Sequence, residues 1–76
     1  MTMDWPDYET LTATFDNGVA EITLNRPDFG NALNAQMAID LLDIADRVSE
    51  DKAVRAVLLT GAGKSFCFGG DIASFQ

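Results

Sequence analysis

A short apolar run followed directly by a glycine-rich loop is the feature that most constrains the fold of this chain. Residues 54–60 contain Val57-Leu58-Leu59, and residues 61–70 read Gly-Ala-Gly-Lys-Ser-Phe-Cys-Phe-Gly-Gly. A nearly continuous apolar run of this length is typical of a strand that is buried on both faces, as in a parallel sheet. Its burial needs covering elements on both sides, so the run predicts an α/β fold.

The residues before this run predict a β-hairpin. Apolar and threonine side chains alternate over residues 10–15, which is the period of a half-buried strand. Asn17-Gly18 follows, and Asn-Gly between two strand-like runs favours a two-residue type I′ turn, because that turn needs positive φ at both central residues. The second strand is predicted over Val19–Leu24, with Ala20, Ile22 and Leu24 on one face.

One amphipathic helix is predicted between the hairpin and the apolar run. Pro27 and Gly30 interrupt the strand pattern, and Asn34 is a suitable N-cap. The helix is predicted to end near residue 50 or 51. Its apolar face comprises Met37, Leu41, Ile44, Ala45 and Val48. Its acidic residues are predicted to form a solvated face: Asp40, Asp43, Asp46 and Glu50.

Composition excludes several classes of function. The chain has 76 residues, no histidine and one cysteine, so it offers neither a Cys/His zinc site nor Ser-His-Asp or Cys-His chemistry, and no metal site is predicted. Its 5 basic and 12 acidic residues give a net charge of −7, which argues against binding to nucleic acid or to an anionic membrane surface. The acidic start resembles no targeting signal, and no apolar stretch approaches a membrane span. We therefore expect a cytoplasmic protein.

The last residues predict that residues 1–76 are the incomplete N-terminal part of a domain. Residues 71–76 have the pattern of a helix start, with Asp71 near its first turn, directly after the glycine-rich loop. A single small domain rarely ends one turn into a helix while an apolar strand is only half covered. The expected order is therefore one ββα unit, the next strand, the loop and the start of a helix.

The glycine-rich loop has three interpretations from its residues alone. Gly63-Lys64-Ser65 resembles the end of a phosphate-binding loop, but the first glycine of that motif would fall at residue 58, which is leucine. Alternatively, the backbone amides at Gly69 and Gly70 can point into a cavity and stabilise developing negative charge on a carbonyl oxygen. A plain strand-to-helix turn is the third interpretation.

Two segments make the chain similar to the enoyl-CoA hydratase/isomerase (crotonase) superfamily. The first is Ile-Thr-Leu-Asn-Arg-Pro-Asp-Phe-Gly-Asn-Ala-Leu-Asn over residues 22–34, which resembles the family's strand, N-R-P turn and N-A-L helix entry. The second, residues 54–72, resembles its buried strand, G-x-G turn and F-C-x-G-x-D segment. The resemblance covers roughly residues 8–76 and implies a spiral of ββα units.

The resemblance also implies a substrate and the residues that hold it. Members act on acyl-coenzyme A thioesters, and two backbone amides hold the thioester oxygen while an enolate-like intermediate forms. By motif match the first amide is that of Gly70, a catalytic group. The segments expected to line the coenzyme A site contribute Arg26, Ala32, Leu33, Phe68, Gly69, Gly70, Asp71 and Ile72. Arg26 and Lys64 are candidates for phosphate contact or are ordinary solvated side chains.

Further expectations follow from the same resemblance. No cofactor is expected apart from coenzyme A as part of the substrate, and members usually assemble as trimers or hexamers. Phe68 stands where the family usually has a small residue, which leaves the substrate class open. Phe66 is expected to pack under the loop, and Cys67 to be a small buried side chain. The second oxyanion amide and the acid/base carboxylates would lie beyond residue 76, so the chain alone is predicted to be inactive. A truncated, non-catalytic remnant is the alternative.

Overall fold

The fold is a three-stranded sheet with one helix, seen in a computed structural model that describes residues 5–64, 66 and 67. The elements are β1 (Leu11–Asp16), β2 (Val19–Leu24), a short 3-10 turn (Pro27–Phe29), α1 (Ala35–Glu50) and β3 (Ala56–Gly61). The strand order is β1-β2-β3, with β1 and β2 antiparallel and β2 and β3 parallel. This ββαβ order confirms the expected α/β class and the first ββα unit with the next strand.

The hairpin between β1 and β2 has the predicted turn. Asn17 and Gly18 both have positive φ, 52° and 83°, and Asp16 pairs with Val19 across the two-residue loop. Asparagine and glycine are the residues that adopt this conformation at least cost. The first strand begins at Leu11 and ends at Asp16, one residue later at each end than predicted, whereas β2 has the predicted bounds.

The core lies between the inner face of the sheet and α1. Ala20, Ile22 and Leu24 are buried, as the alternation in β2 predicts. Ile22 contacts Leu11 and Ile44 in a cluster against which Trp5, Tyr8, Ala13, Leu41 and Val48 pack. The helix begins where predicted, because the Asn34 side chain accepts a hydrogen bond of 2.8 Å from the amide of Met37.

The predicted faces of α1 are wrong at two positions. Ala45 is exposed. Asp40, which was expected on the solvated face, is only 5% exposed. Its Oδ2 accepts hydrogen bonds from the amide (3.0 Å) and the hydroxyl (2.7 Å) of Thr10, and its Oδ1 accepts one from Gln36 Nε2 (2.8 Å). The segment before β1 therefore crosses the helix at Asp40, and the carboxylate satisfies backbone and side-chain donors that would otherwise be buried without a partner.

The apolar run of β3 is more exposed than predicted. Val57, Leu58 and Leu59 retain between 45% and 51% of their exposure, although the pattern predicts burial on both faces. The reason is the strand order. Among the residues that the structure describes, β3 is an edge strand and pairs only with β2. The parallel pairing itself confirms the sheet type that the run predicts.

Candidate functional site

Two tight turns meet at the edge of the sheet that is formed by the C-terminal ends of β2 and β3. Since β2 and β3 are parallel and Leu24 pairs with Gly61, both strands end at the same edge. From there the chain continues into residues 25–31, which we call the Asn-Arg-Pro turn, and into the glycine-rich loop that begins at Gly61. In α/β sheets ligands bind outside the carboxyl ends of the strands, where such loops face each other. This edge is therefore the candidate site.

Proline and glycine shape the Asn-Arg-Pro turn. Pro27 begins the 3-10 turn, where its lack of an N–H group costs nothing, and Gly30 ends it with φ of 62°. The amides of Phe29 and Asn31 both donate to the carbonyl of Arg26, at 3.0 and 2.8 Å. The result is a compact turn in which the amides of Phe29, Gly30 and Asn31 are all bonded within the turn itself.

The Arg26 side chain lies along this turn. Its Nη1 donates a hydrogen bond of 2.5 Å to the carbonyl of Ala32, and its guanidinium carbon lies 4.5 Å from the centroid of the Phe29 ring. An arginine over an aromatic face is a favourable cation–π arrangement. The structure therefore brings Arg26 and Ala32 together, with Leu33 next in the chain and half-buried. Sequence reasoning did not single out Phe29, which is 61% exposed beside this cation.

Asn31 connects the two turns. Its side chain is fully buried; Oδ1 accepts from the amide of Arg26 at 2.7 Å, and Nδ2 donates to the carbonyl of Ala62 at 2.8 Å. Its φ is 56°, a left-handed conformation that asparagine tolerates better than most residues. Sequence reasoning included Asn31 in the N-A-L helix entry but assigned it no role; the available signal was an asparagine directly after the glycine that ends a tight turn.

The glycine-rich loop also packs closely on the other turn. The amide of Ala62 donates to the carbonyl of Leu24 at 2.8 Å, which extends the parallel pairing beyond β3. Gly63 has φ of 80°, and a Cβ placed on it would lie 2.9 Å from Cβ of Pro27. Such a distance is shorter than real Cβ contacts, so only glycine lets the two backbones approach this closely.

The remaining predicted residues are placed as follows. Lys64 is exposed, Cys67 is half-buried, and Phe66 is 53% exposed, so the expectation that Phe66 packs under the loop is wrong for its position in this structure. The predicted residues Phe68, Gly69, Gly70, Asp71 and Ile72, together with the helix expected over residues 71–76, lie outside the described residues. The described part of the site thus consists of the Asn-Arg-Pro turn and the first residues of the loop.

Two negative findings apply to residues 5–64, 66 and 67. No three histidine, cysteine, aspartate or glutamate side chains among them lie close enough together to hold a metal ion. No helix in that part of the chain is both long enough and apolar enough to cross a membrane.

A ββα unit whose next strand is parallel, with two turns in contact beyond the carboxyl ends of the strands, places this chain among the α/β proteins. Comparison with known proteins narrows this class, because the sequence model of the enoyl-CoA hydratase/isomerase family matches residues 14–76. The chain belongs to this family. The match includes both turns of the candidate site.

Individual relatives agree with this assignment. The chain is 36% identical to trans-2-decenoyl-[acyl-carrier-protein] isomerase of Streptococcus mutans over 92% of its own length and 27% of the relative's. It is 39% identical to 1,2-epoxyphenylacetyl-CoA isomerase of Escherichia coli, covering 84% of this chain and 24% of that protein. The structure of enoyl-CoA hydratase EchA8_6 from Mycobacterium marinum superposes with a TM-score of 0.85 at 39% identity, over 88% of this chain and 32% of that one. The chain spans about a quarter of the length of the curated relatives it matches.

Proposed function

We propose that this chain is the acyl-CoA-binding front part of an enoyl-CoA hydratase/isomerase-type enzyme. The reaction is the addition of water to a 2-enoyl-CoA, or a shift of its double bond. The observation that carries the proposal is the contact between the Asn-Arg-Pro turn and the glycine-rich loop at the carboxyl edge of β2 and β3. Family membership supports the substrate class, because both reactions pass through charge on a thioester oxygen.

The chain's contribution to chemistry is a backbone hydrogen bond to that oxygen. In this proposal the amide of Gly70 donates to the thioester oxygen and stabilises the negative charge that develops as the enolate forms. Removing one such donor typically costs ~3 kcal/mol in transition-state stabilisation. The proton-transfer groups and the second donor are not among these residues, so the 76-residue chain alone is inactive in this proposal.

The coenzyme A moiety lies along the two turns. Its contacts come from Arg26 on the first turn, from Ala32 and Leu33 directly after it, and from Phe68, Gly69, Gly70, Asp71 and Ile72 on the second segment. The Arg26 guanidinium is a natural partner for a phosphate, because coenzyme A is an anion and the chain carries a net charge of −7. The same proposal gives a cytoplasmic enzyme that forms homotrimers or hexamers and needs no cofactor beyond coenzyme A, with no nucleic acid or membrane as partner.

A semisynthetic chain tests the role of Gly70. Ligation at Cys67 allows residues 67–76 to be made chemically, so the amide of Gly70 can be replaced by an ester that lacks the N–H group. The ligand is a 3-oxoacyl-CoA, whose enolate is identified by its near-ultraviolet absorbance. We expect the ester to weaken binding of the enolate by about 10- to 150-fold, since a charge-assisted hydrogen bond worth about 1.5–3 kcal/mol is lost. Binding of coenzyme A itself should not change.

The control is the same backbone change at Ala73, which removes an amide from the same synthetic segment. Equal enolate affinity for the Gly70 ester and the unmodified chain would exclude the oxyanion role. Failure of the unmodified chain to bind coenzyme A would exclude the binding role. The non-catalytic alternative is tested by the absorbance of a 2-enoyl-CoA, which should stay constant in the presence of the chain; a measurable hydration rate would contradict the predicted inactivity.

A further inference from the structure

We propose that Asn31 is a positioning residue that sets the distance between the Asn-Arg-Pro turn and the glycine-rich loop, and so couples the two halves of the ligand site. Its role in ligand binding rests on the proposed function, whereas its role in holding the two turns together does not. The residue itself contacts no ligand in this inference; it acts through the backbone of Arg26 and of Ala62.

The Asn31 side chain bonds to the backbone of both turns, as an acceptor toward one and as a donor toward the other. Oδ1 accepts from the Arg26 amide at 2.7 Å, and Nδ2 donates to the Ala62 carbonyl at 2.8 Å. The Asn31 amide also donates to the Arg26 carbonyl at 2.8 Å, so the residue is tied to Arg26 at two points. The side chain is fully buried, where a lost partner cannot be replaced by water at low cost.

No other natural residue meets all the requirements of this position. The φ of 56° favours glycine, asparagine and aspartate. Glycine has no side chain to bridge the turns, and an ionised aspartate has no donor for the Ala62 carbonyl. Serine is too short to bond both groups, and glutamine carries its amide one carbon further. Asparagine combines the backbone conformation with both hydrogen bonds.

The two turns also approach each other at a point that does not involve Asn31. Gly63 follows Ala62 directly and lies so close to Pro27 that a Cβ would stand 2.9 Å from Cβ of Pro27. The two turns are therefore in close contact next to the Asn31 bridge as well as through it. A shift of Ala62 would move Gly63 against Pro27, so the separation of the turns has little freedom while the bridge is intact.

The consequence for ligand binding follows from the chain's connectivity. Arg26 belongs to the Asn-Arg-Pro turn, Ala32 and Leu33 follow that turn directly, and the loop that begins at Gly61 leads in sequence to Gly70. A ligand that spans both turns binds best when their separation is already correct, because no free energy is then spent on ordering them. Asn31 supplies this preorganisation by fixing the separation of the two turns, without itself contacting the ligand.

The substitution Asn31→Asp tests the inference because its effect depends on pH. The protonated carboxyl can donate to the Ala62 carbonyl and accept from the Arg26 amide, whereas the carboxylate places an oxygen against the carbonyl oxygen. At neutral pH we expect coenzyme A to bind about tenfold more weakly than to the wild type. The affinity should approach that of the wild type as the introduced carboxyl is protonated. The charged residues of the two turns, Arg26, Asp28 and Lys64, are the same in both proteins.

Two further variants complete the comparison. Asn31→Gly keeps the left-handed backbone without strain and removes the side-chain hydrogen bonds to Arg26 and Ala62, so its loss of affinity should not depend on pH. Asn34→Asp is the matched control: the same chemical change is made three residues later, at an N-cap where aspartate accepts as well as asparagine does. We expect its coenzyme A affinity to equal that of the wild type.

Amide chemical shifts separate this inference from the proposed function. In Asn31→Asp, the amides of Arg26, Ala62 and Gly63 should shift together as the introduced carboxyl titrates, whether or not coenzyme A binds. Wild-type affinity of Asn31→Asp at neutral pH, or a titration that leaves Ala62 and Gly63 unmoved, would overturn the inference. If the variant does not fold, the wild type decides: absence of a scalar coupling between Asn31 Nδ2 and the Ala62 carbonyl carbon would also overturn it. Failure of the wild type to bind coenzyme A would count against the proposed function alone.

Discussion

Removal of the Asp40 carboxylate should destabilise the chain more than removal of any solvent-facing acid on α1. Asp40 is only 5% exposed and accepts both the amide and the hydroxyl of Thr10. Asp40→Ala leaves two buried donors without their acceptor, and each costs ~1–3 kcal/mol. The better helix propensity of alanine offsets about 0.5 kcal/mol. The expected net loss is therefore about 3 kcal/mol.

That loss is large for a chain of 76 residues, whose total stability is about 4–11 kcal/mol at the usual value per residue. Asp40→Asn should cost only about 1 kcal/mol, because its amide oxygen can still accept from Thr10 but forms weaker bonds than a carboxylate. The assay is urea unfolding followed by the fluorescence of Trp5, the single tryptophan, which packs against the core cluster. Asp46→Ala, on the exposed side of the same helix, is the control and should stay within about 0.5 kcal/mol of the wild type.

The acid dependence of stability gives an independent test. Burial acts to raise the pKa of Asp40, but the hydrogen bonds from Thr10 and Gln36 outweigh it and the pKa is lowered. A lowered pKa in the folded state means that the unfolded chain binds the proton more readily. The stability that Asp40 contributes is therefore present above the pKa of the unfolded chain and is lost as pH falls through the folded pKa. Asp40→Asn should flatten this acid dependence. The reasoning is refuted if Asp40→Ala and Asp46→Ala unfold at the same urea concentration.

Three further predictions concern single residues. In urea unfolding, Gly63→Ala should lower the free energy of unfolding by about 1–2 kcal/mol more than Gly18→Ala does. The two glycines have similar φ, but an added Cβ meets the rigid ring of Pro27 at Gly63 and only the flexible Arg55 side chain at Gly18. Burial, together with the hydrogen bond to Asp43, raises the pKa of Tyr8 from 10.0 to about 12. The phenolate absorbance of this single tyrosine should therefore appear near pH 12, and the stability linked to its protonated form should be lost as pH rises through that value. A midpoint near 10.0 would contradict this. Asn34→Ala should cost about 1 kcal/mol by unfolding, whereas Asn34→Asp should cost little; equal losses would rule out the N-cap.

Local sequence signals predicted most of the fold because the elements depend on local chemistry. The Asn17-Gly18 turn, the alternation in β2 and the Asn34 cap each act over a few residues, and each lies where predicted. The apolar run of β3 predicted the parallel pairing correctly but not its burial. Burial depends on which other elements pack against a strand. A run of apolar residues indicates only that the strand can be buried, not that an element covers it.

Asp40 shows why a helical pattern alone cannot assign a buried polar residue. Its position on α1 belongs to the polar side of the pattern, and the pattern correctly places Asp46 and Glu50 in solvent. What buries Asp40 is Thr10, thirty positions earlier, whose amide and hydroxyl need an acceptor. The sequence around Asp40 does not indicate that these donors need an acceptor there, because Thr10 belongs to a segment that contacts the helix only in the folded chain.

The same distinction applies to the candidate site, and it explains which half of the site was predictable. Parallel pairing of β2 and β3 in the observed register is enough to bring the Asn-Arg-Pro turn and the glycine-rich loop to one edge, because Leu24 and Gly61 are partners. The two motifs could therefore be assigned to one site from the strand signals and the resemblance. The bridge through Asn31 could not, because it requires the φ of 56° and the separation of Arg26 from Ala62, and both arise only when the turns are packed. Motifs thus indicate which segments form the candidate site, and the buried hydrogen bonds between those segments determine how rigidly the segments are held together.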